Sequence, residues 1–297
     1  MRLLVLGGTK YLGRHLVEAA LRDGHDVTLF NRGQTGQGLF PTASQLRGDR
    51  SRPDALAEGE WDGVVDFSGF VGTDVRRTAE LLADRVGQYT FMSTIGVYAD
   101  KVTPYQTEAA PLVGWPDGTA DDAFSMDVYG AQKVRCEQIL TDVLGERATY
   151  VRSGFIVGRY GPDFGPWGQP LAEGRQLDCA ARPDQPLQYL DARDLADFLL
   201  KVTAERRPGP FNAVSPTLTI EAFLDAWQRV ARKPVPVDWN PATDYLGLPH
   251  DGSNDGTFQL DNTRALKAGL RVRAAGETAA DYIAWIREGN TPPPPPH

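Results

Sequence analysis

Tyr129 and Lys133, in the stretch DVYGAQKVRCE, are the residues whose types and spacing best suit chemistry. Four positions apart on a helix, two side chains share one face, with Cβ atoms about 5–6 Å apart. A free tyrosine hydroxyl titrates at about 10, too high for a base at neutral pH. A neighbouring ammonium stabilises the phenolate and lowers that value. Such a pair can exchange a proton with a substrate hydroxyl or carbonyl. Y-x-x-x-K alone is common by chance. Its weight here comes from a glycine turn at the chain start and from the strand-like stretch MSTIGVY, which supplies Ser93 and Thr94.

The turn reads LVLGGTKYLG. Gly7, Gly8 and Gly13 bracket Thr9, Lys10, Tyr11 and Leu12 between a strand and a helix. Glycine there lets the backbone turn tightly, approach a pyrophosphate and pack helix on strand. The helix N-terminus then offers free N–H groups to phosphate oxygens. About twenty residues on, a carboxylate commonly holds the adenosine ribose. This chain has Asn31 and Arg32 instead, in FNRG. The missing carboxylate removes repulsion, and an arginine offers a bidentate donor to a 2′-phosphate. That favours NADP(H), with NAD(H) left open. Lys10 adds a second positive charge, unless both cations are simply solvated. Asp49, with Arg50 beside it, is placed to meet the adenine. Phe67, Ser68 and Gly69 in DFSG suit close approach to the cofactor. Ser93, Ser153 and Phe155, at later strand ends, complete the candidate cofactor site.

These residues need a scaffold. RLLVL (2–6), DVTLF (26–30), WDGVVDF (61–67), QYTFMS (88–93) and ATYVRS (148–153) read as strands. Helical spacing follows the first of them, and 74–85 reads as another helix. Strand–helix alternation with short turns predicts an open parallel sheet covered on both faces, with ligands at the carboxyl ends of its strands. The fold class is therefore α/β, a doubly wound parallel sheet, with a smaller, interleaved C-terminal substrate lobe. The dinucleotide domain spans 1–156 and is rejoined by about 187–213. Residues 157–186 and 214–290 form the lobe. The Pro-rich tail 291–297 lies outside the fold.

Within the lobe, VGRYGPDFGPWGQP (157–170) is dense in Gly and Pro and predicts a loop. Residues 219–231 predict a helix with Thr219 as N-cap. Residues 277–289 predict a last amphipathic helix. Tyr160, Phe164 and Trp167 are candidates to line a substrate pocket; packing of the lobe is the other reading.

Composition narrows the partners. The chain has 297 residues and a net charge of -8, which argues against general attraction to DNA or an anionic membrane. Cys136 and Cys179 form no metal-type pair, the four histidines are scattered, and no metal site is expected. No apolar run reaches membrane-spanning length, and MRLLVL is too short for a signal-peptide core. The expected location is the cytoplasm and the expected partner a small molecule.

In order, the glycine turn, STIGVY, Y-x-x-x-K, YVRSGFIVG, QYLDARDLADFLL and FNAVSP resemble the extended short-chain dehydrogenases/reductases of the NAD-dependent epimerase/dehydratase family. The resemblance covers nearly the whole chain except the tail and implies a Rossmann-type fold. It implies Tyr129 as acid/base. Lys133 would lower its pKa and hold the nicotinamide ribose, and Thr94 would hydrogen-bond the reacting oxygen. Hydride would pass between the nicotinamide and a secondary alcohol or ketone of a sugar-like substrate, nucleotide sugars included. The family also leaves a homodimer open.

Departures from the family pattern bear on function. Lys10 replaces the middle glycine of G-x-x-G-x-x-G. Ile95 and Gly96 stand where 4,6-dehydratases carry Asp-Glu, which disfavours dehydration. Leu187 stands where the family has a substrate-side Arg; Arg193 or Arg175 could replace it. GGTKYLG with VTLFNRG also resembles an atypical branch that includes chloroplast stem-loop RNA-binding proteins, some lacking the catalytic residues. A non-catalytic dinucleotide- or RNA-binding protein is thus the alternative to an enzyme, and a redox-sensing regulator a third reading.

Overall fold

Burial along the first strand sets the architecture. In β1 (Arg2–Leu6), Leu3, Leu4, Val5 and Leu6 are all buried. Leu3 and Val5 enter one core, Leu4 and Leu6 another. A strand apolar on both faces needs cover on both. The computed structural model, which describes residues 1–120, 123–161, 165–232, 234–239 and 251–293, supplies it.

The chain runs β1, α1 (Tyr11–Arg22), β2 (Asp26–Asn31), β3 (Ser44–Arg47), β4 (Trp61–Asp66), α2 (Gly72–Leu82), β5 (Val86–Thr94), α3 (Tyr129–Leu144) and β6 (Ala148–Ser153). It continues through β7 (Phe155–Val157), α4 (Gly165–Glu173), β8 (Leu177–Asp178), β9 (Pro186–Leu187), β10 (Tyr189–Asp191), α5 (Ala192–Ala204) and β11 (Gly209–Ala213). Then come β12 (Leu218–Thr219), α6 (Ile220–Ala231), β13 (Val237–Asp238), α7 (Thr263–Lys267) and α8 (Ala275–Arg287). Seven strands form one parallel sheet in the order β11-β6-β5-β4-β1-β2-β3. The order reverses between β1 and β4, the switch point of a doubly wound, Rossmann-type fold.

Helices α1 and α5 bury their apolar residues on the Leu3/Val5 face. Helices α2 and α3 cover the other, with Val75, Ala79 and Leu82 facing Cys136, Ile139 and Leu140. A further core joins α4, α6 and α8 around Trp167, Phe223, Trp227, Tyr282 and Trp285. Thr219 caps α6: its Oγ1 accepts from Ala222 N at 3.1 Å.

The stretch 157–170 departs from the loop expected of it, since α4 starts at Gly165 and contains Pro170. Trp167 and Leu171, four residues apart, are 2% and 0% exposed in the lobe core. Burial of an apolar stripe outweighs the local cost of Gly and Pro. β7, which pairs in parallel with β10, was also not apparent from composition. Phe164 and the tail residues 294–297 lie outside the described residues.

Candidate active site

The glycine turn follows β1 at the switch point. Gly7 and Gly8 have φ of 103° and 90°, a region closed to most side chains. A Cβ on Gly13 would lie 2.7 Å from Gly8 Cα, so α1 rests directly on the turn. Gly13→Ala is therefore expected to cost about 1–3 kcal/mol through overpacking. It should also weaken dinucleotide binding; thermal unfolding and a fluorescence titration check the two effects, and an unchanged melting point would contradict the close packing.

Around the turn, Thr9 Oγ1 meets Thr35 Oγ1 at 3.0 Å, and Lys10 is exposed at the N-cap of α1. Tyr11 OH donates to Ile156 O at 2.7 Å, and Leu12 is buried. Asn31 ends β2. Its Oδ1 accepts from Gly33 N at 2.8 Å, while its buried Nδ2 has no protein acceptor. Arg32 is exposed beside it. Asp49 is exposed; Ser51 N and Oγ bond its carboxylate and hold it below the usual range.

Arg50 turns inward. It donates to Asp66 Oδ1 at 2.6 Å, Ser68 Oγ at 3.0 Å and Tyr89 OH at 3.3 Å. Its guanidinium is therefore committed to the protein interior. Burial works to raise the Asp66 carboxyl, but Arg50 and the hydrogen bonds from Tyr89 and Ser68 override it and hold it low. The pair braces the loop carrying Phe67, Ser68 and Gly69. Phe67 faces the turn: a Cβ on Gly7 would lie 3.5 Å from its Cβ.

The catalytic candidates converge beyond β5. Thr94 lies opposite Ser153 in the β5–β6 register. Its Oγ1 accepts from Gly96 N at 3.1 Å, leaving the hydroxyl proton to donate elsewhere. A Cβ on Gly130 would fall 2.3 Å from Gly96 O, so glycine there lets the first turn of α3, with Tyr129, press against the turn after Thr94. Lys133 is buried; its Nζ donates to Gly69 O at 2.9 Å and Met92 O at 2.8 Å and stands 5.7 Å from the Tyr129 ring centre. Desolvation pulls its pKa down to about 8. Ser153 Oγ is buried with no protein partner.

Beneath them lies a charged network that the sequence reading missed. Ser93 Oγ donates to Glu137 Oε1 at 2.6 Å. Arg152 grips both oxygens of Glu137, at 3.1 and 2.6 Å, and donates to Tyr98 OH and Glu108 O. One signal was available: Glu137 follows Lys133 by four residues and Tyr129 by eight, on the same helical face.

The lobe residues are placed differently. Trp167 packs the lobe core and meets Phe155 at 6.3 Å. Tyr160 lies over Arg14 at 3.7 Å and against His15 and Trp285, at the seam between α1 and α8. Arg193 pairs with Asp191 at 2.7 Å and Asp281 at 3.1 Å. Arg175 is exposed and paired with Glu173, and Leu187 is buried in the lobe core. Tyr160, Trp167 and Arg193 thus pack and pin the lobe, and the structure does not gather them with Thr94, Tyr129 and Lys133.

A doubly wound parallel sheet, a glycine turn at its switch point and a Tyr–Lys pair beyond β5 define a protein of the short-chain dehydrogenase/reductase kind. Residues 3–213 match the NAD dependent epimerase/dehydratase family, and the chain belongs to it. The chloroplast stem-loop binding protein of 41 kDa b of Arabidopsis thaliana is 27% identical over 227 residues, 69% of this chain and 56% of that protein. The UDP-glucose 4-epimerase of Corynebacterium glutamicum is 29% identical over 175 residues, 54% of this chain and 53% of that enzyme. The chain spans about half the length of these curated relatives.

Among solved structures, the UDP-N-acetylglucosamine 4-epimerase of Bacillus cereus superposes with a TM-score of 0.77 at 17% identity, covering 97% of this chain and 99% of that one. The UDP-glucose 4-epimerase of Bifidobacterium longum, solved with NAD+ and UDP, gives 0.72 at 19%, covering 97% and 98%. At such identities the likeness is one of fold. Among the described residues, no helix is long and apolar enough to cross a membrane.

Proposed function

We propose that the chain is an NAD(P)-dependent oxidoreductase or epimerase acting on a secondary alcohol or ketone of a sugar-like substrate. The observation that carries this reading is the approach of Thr94, Tyr129 and Lys133 around the end of β5, beside the glycine turn. The site fits a dinucleotide. Gly7 and Gly8 hold positive φ and Gly13 seats α1 on the turn, which leaves bare backbone and a helix N-terminus for a pyrophosphate, and the unpartnered Asn31 Nδ2 and Ser153 Oγ stand at the ends of β2 and β6. Gly7, Gly8 and the start of α1 would hold the pyrophosphate, Asn31 and Arg32 the adenosine ribose, and Lys133 and Ser153 the nicotinamide end. When bound, the nicotinamide accepts and returns a hydride.

The protein's own part is proton handling. Thr94 donates a hydrogen bond to the substrate oxygen and fixes it near Tyr129. Tyr129 takes or gives the proton of that oxygen. Lys133 places a positive charge beside the tyrosine, which stabilises the oxyanion left when the proton departs. Ile95 and Gly96 offer no carboxyl for water loss, which supports epimerisation or net redox over dehydration. UDP-glucose and UDP-N-acetylglucosamine are the first substrates to try, because relatives and fold neighbours are named for them. Incubation with each, with NAD+ and with NADP+, should give either a new sugar epimer without net change in nicotinamide absorbance or a stoichiometric change. Bound cofactor with neither outcome across a broad alcohol and ketone panel would overturn the reading in favour of a sensor.

A preference for NADP(H) is part of the proposal, supported by exposed Arg32 and Lys10 and the absence of a carboxylate at Asn31. Arg32→Ala is expected to weaken NADPH binding about tenfold or more, equivalent to losing one charge-assisted contact, with little effect on NADH. Equal losses for both cofactors would contradict it.

The stem-loop binding relative favours a second reading, a protein that binds folded nucleic acid. It predicts retention of a stem-loop at low salt and loss at high salt. The net charge of -8 weighs against it, and absence of binding at low salt would dispose of it.

A further inference from the structure

Phe70 and Phe124 are 42% and 51% exposed, although each is a large aromatic ring. They meet edge to face at 5.6 Å. The Lys133 ammonium lies 4.8 Å from the Phe70 ring and 4.6 Å from that of Phe91. The approach of the two exposed rings is built from below. Gln132, fully buried, accepts from Gly72 N at 3.2 Å and donates to Ala123 O at 2.5 Å. One side chain thus ties the segment after Phe70 to the segment before Phe124.

An exposed aromatic pair held by a buried polar clamp costs burial that folding alone would favour. We propose that Phe70 and Phe124 are a positioning pair that screens the Lys133 ammonium from water at the mouth of the site. The assignment rests on Lys133 serving the site described above. Two carbonyls take two of its three N–H groups, and the Phe70 and Phe91 rings, with Phe124 edge to face on Phe70, stand beside the charge in place of solvent. Lys133 is almost wholly buried, and that desolvation lowers its proton affinity. The charged or titratable groups facing Lys133 are Asp66 and Arg50 across the sheet end and Tyr129, Cys136 and Glu137 on its own helix. Replacing either phenylalanine leaves all of them in place.

Competitive labelling of the ligand-free full chain with acetic anhydride over a pH series, read by peptide mass spectrometry, tests this without substrate. In Phe124→Ala and Phe70→Leu, the midpoint of Lys133 labelling should move up by about one pH unit as water reaches the ammonium. The high-pH plateau rate should rise several-fold. Phe124→Leu should recover most of the wild-type behaviour, and Met126→Ala, an exposed apolar residue nearby in sequence, should change nothing. Unchanged midpoint and plateau in both Phe variants would overturn the proposal. So would a uniform rise at every lysine, which would mark loosening of the fold. An NADPH titration of the wild-type chain separates the two readings: absence of cofactor binding there counts against the proposed function and not against the screen.

Discussion

Tyr129→Phe is expected to lower turnover by about 10²–10⁴-fold, the usual contribution of a positioned acid/base group. Cofactor affinity should stay close to wild type. The ring of Tyr129 remains at the start of α3, and Gly130 still seats that turn against Gly96, so only the hydroxyl is lost. A loss of kcat with unchanged cofactor affinity places the hydroxyl in the chemistry. A parallel loss of both would mean that Tyr129 shapes the cofactor pocket, and retained turnover would sink the proton-transfer role. The comparison needs both numbers from the same preparation, because a KM change alone reports binding shared by ground and transition states.

Glu137→Ala should give the largest loss of stability, about 3–5 kcal/mol, because it strands a buried guanidinium. Arg152 and Glu137 side chains are 4% and 5% exposed, and Ser93 leans on the same carboxylate. Arg152 would keep Tyr98 OH and Glu108 O as acceptors, but no opposite charge. The same substitution should reduce activity, since Ser93 adjoins Thr94 at the end of β5. Denaturant unfolding of the single variant and of Glu137→Leu with Arg152→Met checks the cause. Recovery of stability in the double variant is expected, because a buried pair replaced by apolar groups of similar volume is often neutral. A single variant losing less than about 1 kcal/mol would contradict the account, as only a surface pair costs so little.

Much of the nucleotide end was legible because its signals are local. Leu3 to Leu6 are apolar in succession, as a strand covered on both faces requires, and Gly7, Gly8 and Gly13 mark a turn whose backbone takes positive φ and packs against the helix that follows. Tyr129 and Lys133 were legible because helix spacing alone puts them on one face. The remainder depends on long-range partners. Arg50 is read from sequence as a neighbour of the adenine candidate Asp49, yet Asp66 and Tyr89, on strands brought together by the sheet, draw it inward. Arg193 looks like a spare cation until α8 brings Asp281 to it. α4 hides behind its glycines and prolines, since the burial that stabilises it comes from α6 and α8. The lobe is thus the part that sequence reading reached least.

The most direct test of the central claim is a side-by-side titration of the purified chain with NADPH and NADH, with denaturing extraction of any dinucleotide that copurifies. The account predicts saturable binding of a nicotinamide dinucleotide, tighter for NADPH. Copurified NAD held tightly would contradict the NADP(H) preference while keeping the fold's function and favouring an epimerase that recycles its cofactor. Failure of both dinucleotides to bind, from a folded protein with none copurified, would contradict the central claim itself.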